Sequence, residues 1–262
     1  MLNKKISVII VNYKSKNFLK KCIHSICDKF QKNVSFEIVI VNNDSELLES
    51  EIINNPIVRI INNGRNIGFG AGNNIGVKNS QGDILFFLNP DTEIISIDIE
   101  EILLLFNNEK LGVIGCQLRS VENKTERWSA GSALTLFNLI RNNLGLESSR
   151  KFIFKEHSIR VDWVSAAAIF IKKNVFKEIG GFDENFFMYF EDMDICRRVA
   201  EKGREVLYFP KAIIKHYGGE SYQNKKIQKR DYYLSQKYYF KKHRNIFEWL
   251  IIKMISKLFY NV

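Results

Sequence analysis

The sequence predicts an α/β protein built on a mostly parallel sheet flanked by helices. In the first 115 residues, short apolar runs rich in β-branched residues alternate with segments of helical periodicity. Polar residues follow three of these runs, at positions 12–13, 42–44 and 89–92. Because ligands bind beyond the carboxyl ends of the strands in such sheets, a binding site is expected at these polar ends.

The predicted elements follow one another in a regular order. Strands are expected at 5–11, 36–41, 58–62, 83–88 and 112–116, and later at 161–171, 206–209 and 212–215. Helices are expected at 18–30, 46–54, 97–107, 174–179 and 191–202, and one more follows the glycine- and asparagine-rich loop 63–76. Residues 117–160 carry few signals, apart from Trp128 and an apolar run near 134–146 that is either a mobile loop or a helix.

Composition excludes several classes of protein. The chain has 262 residues, of which 45% are hydrophobic and only three are proline, so it can bury a core and is not of low complexity. Its four cysteines form no CxxC pair and no ligand-like cluster. They indicate reduced thiols in a cytoplasmic protein and argue against a zinc site.

The positive charge of the chain is concentrated in its last fifty residues. From Lys211 onward there are twelve lysines and arginines against three acidic residues, which accounts for nine of the ten net positive charges. The segment 247–260 is strongly apolar, with Lys253 and Lys257 interspersed, and is too short and too charged for a clear transmembrane span. It suits a helix lying at an anionic membrane surface. A packed helix pair or a homodimer interface is the alternative.

Residues 180–198 combine carboxylates and aromatic side chains in an unusual density. A glycine pair precedes the loop, and Glu191, Asp192 and Asp194 then run into a helical pattern. Carboxylates are stabilised at the start of a helix, which is a purely structural reason for their presence. Five aromatic residues in the same loop favour a partly dry pocket instead, in which a carboxylate becomes a stronger base.

Seven motifs in a fixed order resemble the rhamnosyltransferase-like branch of glycosyltransferase family 2, over roughly residues 5–222. They are Val-Ile-Ile-Val-Asn-Tyr (8–13), Val-Asn-Asn-Asp-Ser (41–45), Asn-Ile-Gly-Phe-Gly-Ala-Gly-Asn-Asn (66–74), Leu-Asn-Pro-Asp-Thr (88–92), Trp-Val-Ser-Ala-Ala (163–167), the stretch 180–198, and His-Tyr-Gly-Gly (216–219). Any one of these motifs alone would be weak, whereas their order is specific.

The resemblance implies a GT-A fold, a dTDP- or UDP-sugar donor, a divalent cation (Mn²⁺ or Mg²⁺) and inversion at the anomeric carbon. It implies a domain at 1–222, with a nucleotide-sugar half at 1–115 and an acceptor half at 116–222. The pattern of the remaining residues, 223–262, predicts a helical, membrane-associating tail. Asp91 would be the metal-binding aspartate and Asp192 the base, with Glu191 the neighbour most easily confused with it. Tyr13 and Asn42 would lie at the nucleobase.

Three positions depart from the family pattern. Asn42 stands where the family usually has an aspartate, and Asn89 stands at the first position of the Asp-x-Asp motif. An amide at position 42 can still donate to a pyrimidine oxygen and accept from a ring N–H. Ala166 stands where the family usually has a glycine and would narrow the acceptor side of the binding site.

The remaining candidates each have a functional and a structural interpretation. His216 is either a metal or diphosphate contact or a hydrogen-bonded core histidine. Trp163 either stacks against the acceptor sugar or fills the core, Asp183 orients either the loop or an acceptor hydroxyl, and Tyr189 is placed with the acceptor. The donor is expected to contact the strand ends and the glycine-rich loop through Asp44, Arg65, Asn66, Gly70, Asn74 and Asn89, and tight packing is the alternative for the loop residues.

The sequence therefore predicts an inverting, metal-dependent glycosyltransferase on the inner face of the plasma membrane. It would move a sugar, with rhamnose as the first candidate, to a glycan or lipid-linked glycan acceptor. A catalytically silent module that docks glycan or membrane is the alternative. The basic, tyrosine-rich tail is also compatible with nucleic-acid binding. No nucleic-acid fold motif accompanies it, and we expect no such partner.

Overall fold

The computed structural model describes residues 4–30, 34–143, 150–153, 155–218 and 224–260. The strands in these ranges are β1 (Ile6–Asn12), β2 (Phe36–Asn42), β3 (Val58–Asn62), β4 (Ile84–Leu88), β5 (Thr92–Ser96), β6 (Leu111–Arg119), β7 (Ala130–Gly131), β8 (Ile159–Arg160), β9 (Trp163–Val164), β10 (Ala168–Lys172) and β11 (Glu205–His216). The helices are α1 (Lys16–Lys29), α2 (Ser50–Ile53), α3 (Phe69–Lys78), α4 (Ile99–Leu105), α5 (Leu136–Asn143), α6 (Arg150–Ile153), α7 (Lys173–Glu178), α8 (Glu191–Glu201), α9 (Lys225–His243) and α10 (Ile246–Tyr260).

The central sheet has the order β3-β2-β1-β4-β10-β6-β11-β5, with β8 paired to β11 beside this path. β1 pairs in parallel with β2 and β4, and β2 pairs in parallel with β3, because the intervening helices return the chain to the same end of the sheet. β10 enters antiparallel between β4 and β6. The predicted α/β fold, with its sheet flanked by helices, is confirmed.

Successive residues of the inner strands feed two separate cores. Val8 packs on one face of the sheet and Ile9 on the other, and Phe86 and Phe87 divide in the same way. This is the two-residue period of a strand buried on both faces. Phe86 and Phe170 are paired across β4 and β10, and their rings stack with centroids 3.8 Å apart.

The predicted strand at 161–171 is divided in the structure. β9 pairs with β7 in a small separate sheet, and β10 joins the central sheet. The chain turns between them, where the Ala168 N–H donates to the Ser165 carbonyl. The prediction of one continuous strand at 161–171 is therefore wrong, because the chain breaks at the small residues 165–167.

Two other strands differ from the expectation. The strands predicted at 206–209 and 212–215 form the single strand β11, whose register shifts around Pro210 because proline cannot donate to the sheet. β5 was not predicted. It pairs with the end of β11, which brings His216 opposite Thr92.

The two C-terminal helices pack against the 180–198 stretch and form a third core. Its buried members are Leu134, Phe186, Phe190, Tyr239, Phe240 and Ile252. The tail is thus a packed helix pair along α9 and α10, one of the arrangements considered above. The predicted domain boundary at 222/223 and the end of the apolar run 134–146 lie outside the described residues. None of the helices in the described ranges is long and apolar enough to cross a bilayer.

Candidate active site

A cavity of about 560 Å³ lies at the carboxyl ends of β1 and β4. Its other walls are the break between β9 and β10, the turn before α8, the end of β11 and one side of α9. Of the predicted site residues, those that line it are Tyr13, Asn66, Asn89, Asp91, Trp163, Tyr189, Glu191, Asp192 and His216. Those outside its lining are Asn42, Asp44, Arg65, Gly70, Asn74 and Asp183.

Asp91 and His216 face each other within this cavity. The Nε2 atom of His216 lies 3.6 Å from an Asp91 carboxylate oxygen, and its Nδ1 atom lies 3.2 Å from Glu126. Burial lowers the pKa of His216, but the hydrogen bond to Glu126 and the charges of Asp91 and Glu126 outweigh it, so the net shift is upward. A carboxylate behind the histidine fixes the ring with its other nitrogen turned to the cavity, as in many metal sites.

These two side chains fit a divalent cation that takes its remaining ligands from a diphosphate and water. The described part of the chain has no group of three or more His, Cys, Asp or Glu side chains able to hold a metal ion. Hard cations are commonly held in proteins by one or two carboxylates together with substrate phosphates. A two-residue set of Asp91 and His216 therefore suits a metal that arrives with a nucleotide-diphosphate.

A strained turn sets the position of Glu191 and Asp192. Tyr189 and Phe190 have φ values of 71° and 65°, in the left-handed region that non-glycine residues rarely adopt. Such conformations cost on the order of 1–3 kcal/mol each and persist where packing enforces them. Phe190 is buried against Tyr232 and Tyr239 of α9. The packing of α9 thus holds the turn that starts α8 with its carboxylates.

The two carboxylates at the start of α8 have different surroundings. Asp192 accepts a hydrogen bond from the Met193 N–H at 2.8 Å and another from the backbone of Ala166. Glu191 is 8% exposed, and its Oε2 atom accepts no hydrogen bond from the described residues. Ala166, the replacement for the family's usual glycine, thus contributes a backbone donor to Asp192.

These surroundings separate the ionisation of the two groups. Burial raises the pKa of both, and the charge of Asp192 raises that of Glu191 further. The backbone hydrogen bonds stabilise the charged form of Asp192 and oppose its upward shift. Asp192 therefore ionises first, and its charge keeps Glu191 protonated. The pair offers one carboxylate base beside one neutral acid.

A row of asparagines ends the first three strands. The Asn12 amide donates to Asn42 Oδ1 at 2.8 Å, and the Asn42 amide donates to the Glu46 carbonyl and to Asn62. Register pairs these three asparagines across β1, β2 and β3. The polar atoms of the Asn42 amide are therefore all engaged within the protein. Its contact with a nucleobase stays a prediction.

Asn89 lines the cavity next to Asp91. Its backbone is fixed by the Ala167 carbonyl and by Thr92, which donates to the Asn89 carbonyl at 2.6 Å. The side-chain Oδ1 atom is buried and accepts no hydrogen bond from any described residue. Because this atom is closed to solvent, the contact of Asn89 with the donor stays a prediction.

The glycine-rich loop and α3 support the 180–198 stretch. The Phe69 N–H donates to the Phe187 carbonyl, and the Asn74 amide both donates to the Phe182 carbonyl and accepts from its N–H. A Cβ atom at Gly70 would lie 3.1 Å from Phe182 Cβ. Of the loop residues predicted to contact the donor, Asn66 alone lines the cavity, while Arg65 is exposed.

Asp44 and Asp183 make contacts outside the cavity. Asp44 accepts from the backbone of Lys14. Asp183 accepts from Lys242, Tyr238 and Asn185. Burial alone would raise the pKa of Asp183, but these hydrogen bonds outweigh it and lower the pKa to about 2. Asp183 thereby ties the loop to α9.

Among the wall residues that were not predicted from the sequence, three come from segments that no motif connected to the site. Gln228 and Tyr232 come from α9, and the Gln228 amide donates to the Tyr189 hydroxyl at 2.9 Å. Trp128 lines the cavity and is 59% exposed. A tryptophan in a segment without other signals was visible in the sequence, but no local pattern connects the tail to the site.

Comparison with known proteins defines the class and then the family. A solved structure of GalNAc-T7 with UDP, GalNAc and Mn²⁺ matches with a TM-score of 0.65 at 16% identity, covering 91% of this chain and 50% of that one. The fold is thus that of the GT-A glycosyltransferases. The profile described as "Glycosyl transferase family 2" matches residues 7–178. The chain belongs to this family.

Two characterised relatives have similar sequences. The low-salt glycan biosynthesis hexosyltransferase Agl10 of Haloferax volcanii is 30% identical over 198 residues, which cover 74% of this chain and 61% of the relative. The rhamnosyltransferase WbbL of Escherichia coli is 25% identical over 222 residues, covering 80% of this chain and 82% of the relative. The chain therefore spans about six tenths of the Haloferax protein.

Proposed function

We propose that this protein is an inverting hexosyltransferase that moves a sugar from a nucleotide-diphosphate donor to a glycan acceptor. One observation carries the proposal: a candidate base, Asp192, and a candidate metal ligand, Asp91, line the same cavity at the carboxyl ends of the strands. Rhamnose from a dTDP donor is the first candidate sugar, supported by the similarity to WbbL. UDP-sugars are the second.

Asp192 supplies the proton acceptor of the reaction. An acceptor hydroxyl attacks the anomeric carbon, the bond to the diphosphate oxygen breaks, and its electron pair leaves with the diphosphate. The hydroxyl proton passes to Asp192, whose upward-shifted pKa makes it a stronger base than an exposed aspartate. Attack from the face opposite the leaving group inverts the configuration. Neutral Glu191 adds no second negative charge beside the base.

Asp91 and His216 would hold Mn²⁺ or Mg²⁺ at the diphosphate. The bound cation would neutralise charge that develops on the leaving diphosphate. An imidazole ligand favours manganese over magnesium. Glu126 orients His216 through the contact with its Nδ1 atom.

We place the donor on residues 1–115 and the acceptor on residues 116–222, with α9 completing the acceptor side. Tyr13, Asn66 and Asn89 are the donor-side lining residues. Trp163 and Tyr189 are the acceptor-side residues predicted from the sequence, and Trp128, Gln228 and Tyr232 join them in the cavity wall. Aromatic faces of this kind suit stacking against sugar rings.

We further propose that the acceptor is carried by a lipid and that the enzyme works as a peripheral protein on the cytoplasmic face of an anionic membrane. The basic charge of the last fifty residues supports this placement. On α10 the residues Ile246, Phe247, Leu250, Met254 and Leu258 are exposed. Exposed apolar side chains interspersed with lysines are typical of helices that lie at the membrane interface.

A ligand panel tests the proposed function. Melting temperatures are measured with nucleotides and nucleotide-sugars, with and without Mn²⁺ or Mg²⁺, because a ligand that binds only the folded state raises the melting temperature. Transfer or donor hydrolysis is then assayed with the stabilising donor. Metal-dependent binding together with turnover supports the proposal. Metal-independent nucleotide binding without turnover supports the silent docking module. The absence of both metal-dependent nucleotide binding and turnover would contradict a transferase.

A further inference from the structure

A second groove lies between the loop at residues 185–187 and the helices α9 and α10. Its volume is about 510 Å³. Its lining includes three lysines, three aromatic side chains and one carboxylate: Lys237, Lys241, Lys253, Phe187, Tyr238, Trp249 and Asp231. It shares no lining residue with the active-site cavity.

The three lysines of this groove have no carboxylate partner among the described residues. Lys237 and Lys241 are one helical turn apart on α9 and therefore share a face, while Lys253 comes from α10. The neighbouring Lys242 differs, because it is engaged by Asp183 and Asp194. With three ammonium groups against the single carboxylate of Asp231, the groove lining has a net positive charge that attracts an anion.

Trp249 packs beside one of these lysines. Lys253 Nζ lies 5.0 Å from the centre of the Trp249 ring. The Trp249 Nε1 atom is buried and donates no hydrogen bond to a described residue. A ligand in the groove therefore does not reach the indole N–H, and the three ammonium groups are the donors that it can meet. Phosphate oxygens supply several acceptors at one point.

The groove borders an exposed apolar stripe. Leu250 and Met254 follow Trp249 and Lys253 by one position each on α10 and are 49% and 57% exposed. Ile246, at the start of the helix, and Leu258, near its end, extend the stripe at four-residue spacing. A ligand that fills the groove and covers the stripe needs an anionic head, for which a phosphate is suited, and an apolar chain.

We propose that this groove binds the phosphate headgroup of an anionic bilayer lipid, with the α10 stripe lying in the acyl boundary. The inference rests on the membrane association proposed above and specifies its face and its ligand. The loop that contributes Asn185 and Phe187 to the groove continues into Tyr189 and Asp192 of the active-site cavity. Membrane contact and acceptor binding thus use adjoining segments of one loop.

The test is flotation of the full chain with vesicles of phosphatidylcholine, with and without phosphatidylglycerol. The variant Lys237→Gln/Lys241→Gln removes two charges from the groove, and Lys225→Gln/Lys226→Gln removes two from the first turn of the same helix. We expect binding to phosphatidylglycerol vesicles to fall roughly tenfold or more in the groove variant and less than about threefold in the control. Leu250→Ser/Met254→Ser should weaken binding that persists at high salt.

Each other outcome overturns a defined part of the inference. Equal losses in the two lysine variants would show diffuse attraction by the tail and no groove site. A rise in melting temperature with inorganic phosphate at matched ionic strength, without vesicle binding, would show a site for a free anion. If the unmodified chain binds no vesicle, the membrane association itself fails. Metal-dependent nucleotide binding, measured in parallel, reports separately on the transferase function.

Discussion

Lys242 Nζ lies 2.7 Å from Oδ1 of the fully buried Asp194. The same ammonium group is 2.6 Å from Asp183, so one side chain of α9 joins the acceptor loop to the first turn of α8. Arg198 and His243 also contact Asp194. The contacts with Lys242, Arg198 and His243 outweigh burial and lower the pKa of Asp194. Helix α9 is therefore part of the structure that positions the proposed base.

We expect Lys242→Ala to lower the free energy of unfolding by about 2 kcal/mol, because it removes a partner from two carboxylates. Urea unfolding at neutral pH measures the loss. Lys241→Ala is the matched control, since Lys241 makes no contact with either carboxylate, and it should stay within about 0.5 kcal/mol of the wild type. Equal stability of the two variants would show that the ion pair is not a structural link.

We expect Asp192→Asn to lower kcat by about 10²–10⁴-fold while leaving the affinity for the donor nucleotide unchanged. The amide keeps the volume of the side chain but cannot accept the proton. Steady-state transfer kinetics and nucleotide titration separate the two effects. Glu191→Gln is the control for the neighbouring position and should retain more activity, because Glu191 is held neutral. A larger loss in Glu191→Gln than in Asp192→Asn would exchange their roles.

The buried pair also predicts a dependence of stability on pH. The pKa of Glu191 is raised in the folded state, so its stability contribution is complete below the unfolded pKa of about 4.3 and is lost as pH rises through the folded value. Glu191→Gln removes this loss. The variant should gain on the order of 1 kcal/mol relative to the wild type between pH 5 and the alkaline range.

Thermal unfolding across a pH series measures this gain. The control is Glu100→Gln, at an exposed position in the first turn of α4, which should follow the wild-type curve. Parallel curves for the wild type and Glu191→Gln would mean that Glu191 ionises normally in the folded protein.

We expect Asp91→Asn to abolish the effect of Mn²⁺ on nucleotide affinity, and Glu126→Gln to weaken it roughly 10–100-fold. Asp91 is a candidate ligand, whereas Glu126 acts by orienting His216. Nucleotide titrations with and without metal measure both effects. Asp28→Asn makes the same chemical change at an exposed position of α1 and should change nothing. Metal-dependent affinity that survives Asp91→Asn would place the cation elsewhere.

The sequence predicted the parts of the site that follow strands. Asn89 and Asp91 come after a buried run, so their place at the sheet edge followed from local pattern alone. Asn42 follows a strand in the same way, yet its side-chain amide is hydrogen-bonded to Asn12 and Asn62 of the neighbouring strands. Local pattern cannot distinguish a strand-end side chain that faces a ligand from one that faces its neighbour.

Long-range packing accounts for the remaining differences. The apolar residues on either side of 165–167 predicted one strand at 161–171, but the chain breaks there and the Ala166 backbone donates a hydrogen bond to Asp192. The tail was interpreted through its charge, since nothing in its sequence reports that α9 packs on the loop more than thirty residues earlier. Contacts of that separation depend on the whole fold, and one sequence does not encode them locally.

The wall contributed by α9 yields the prediction most specific to this chain. Gln228 donates to the Tyr189 hydroxyl, and Tyr232 packs 5.6 Å from the Tyr189 ring and 5.0 Å from Phe190, measured between ring centroids. Gln228→Ala and Tyr232→Ala should raise the KM for the acceptor roughly 3–10-fold, because each removes a contact that holds the acceptor-side turn. The KM for the donor and the rate of donor hydrolysis should not change.

Initial-rate measurements with each substrate varied in turn make this test. Tyr232→Phe keeps the ring and should restore most of the acceptor affinity, and Lys225→Ala, on the same helix outside the cavity, should behave as the wild type. If donor and acceptor KM rise together in Gln228→Ala, the helix acts on the cavity as a whole. A rise confined to the KM for the acceptor would make α9 a determinant of which glycan is extended.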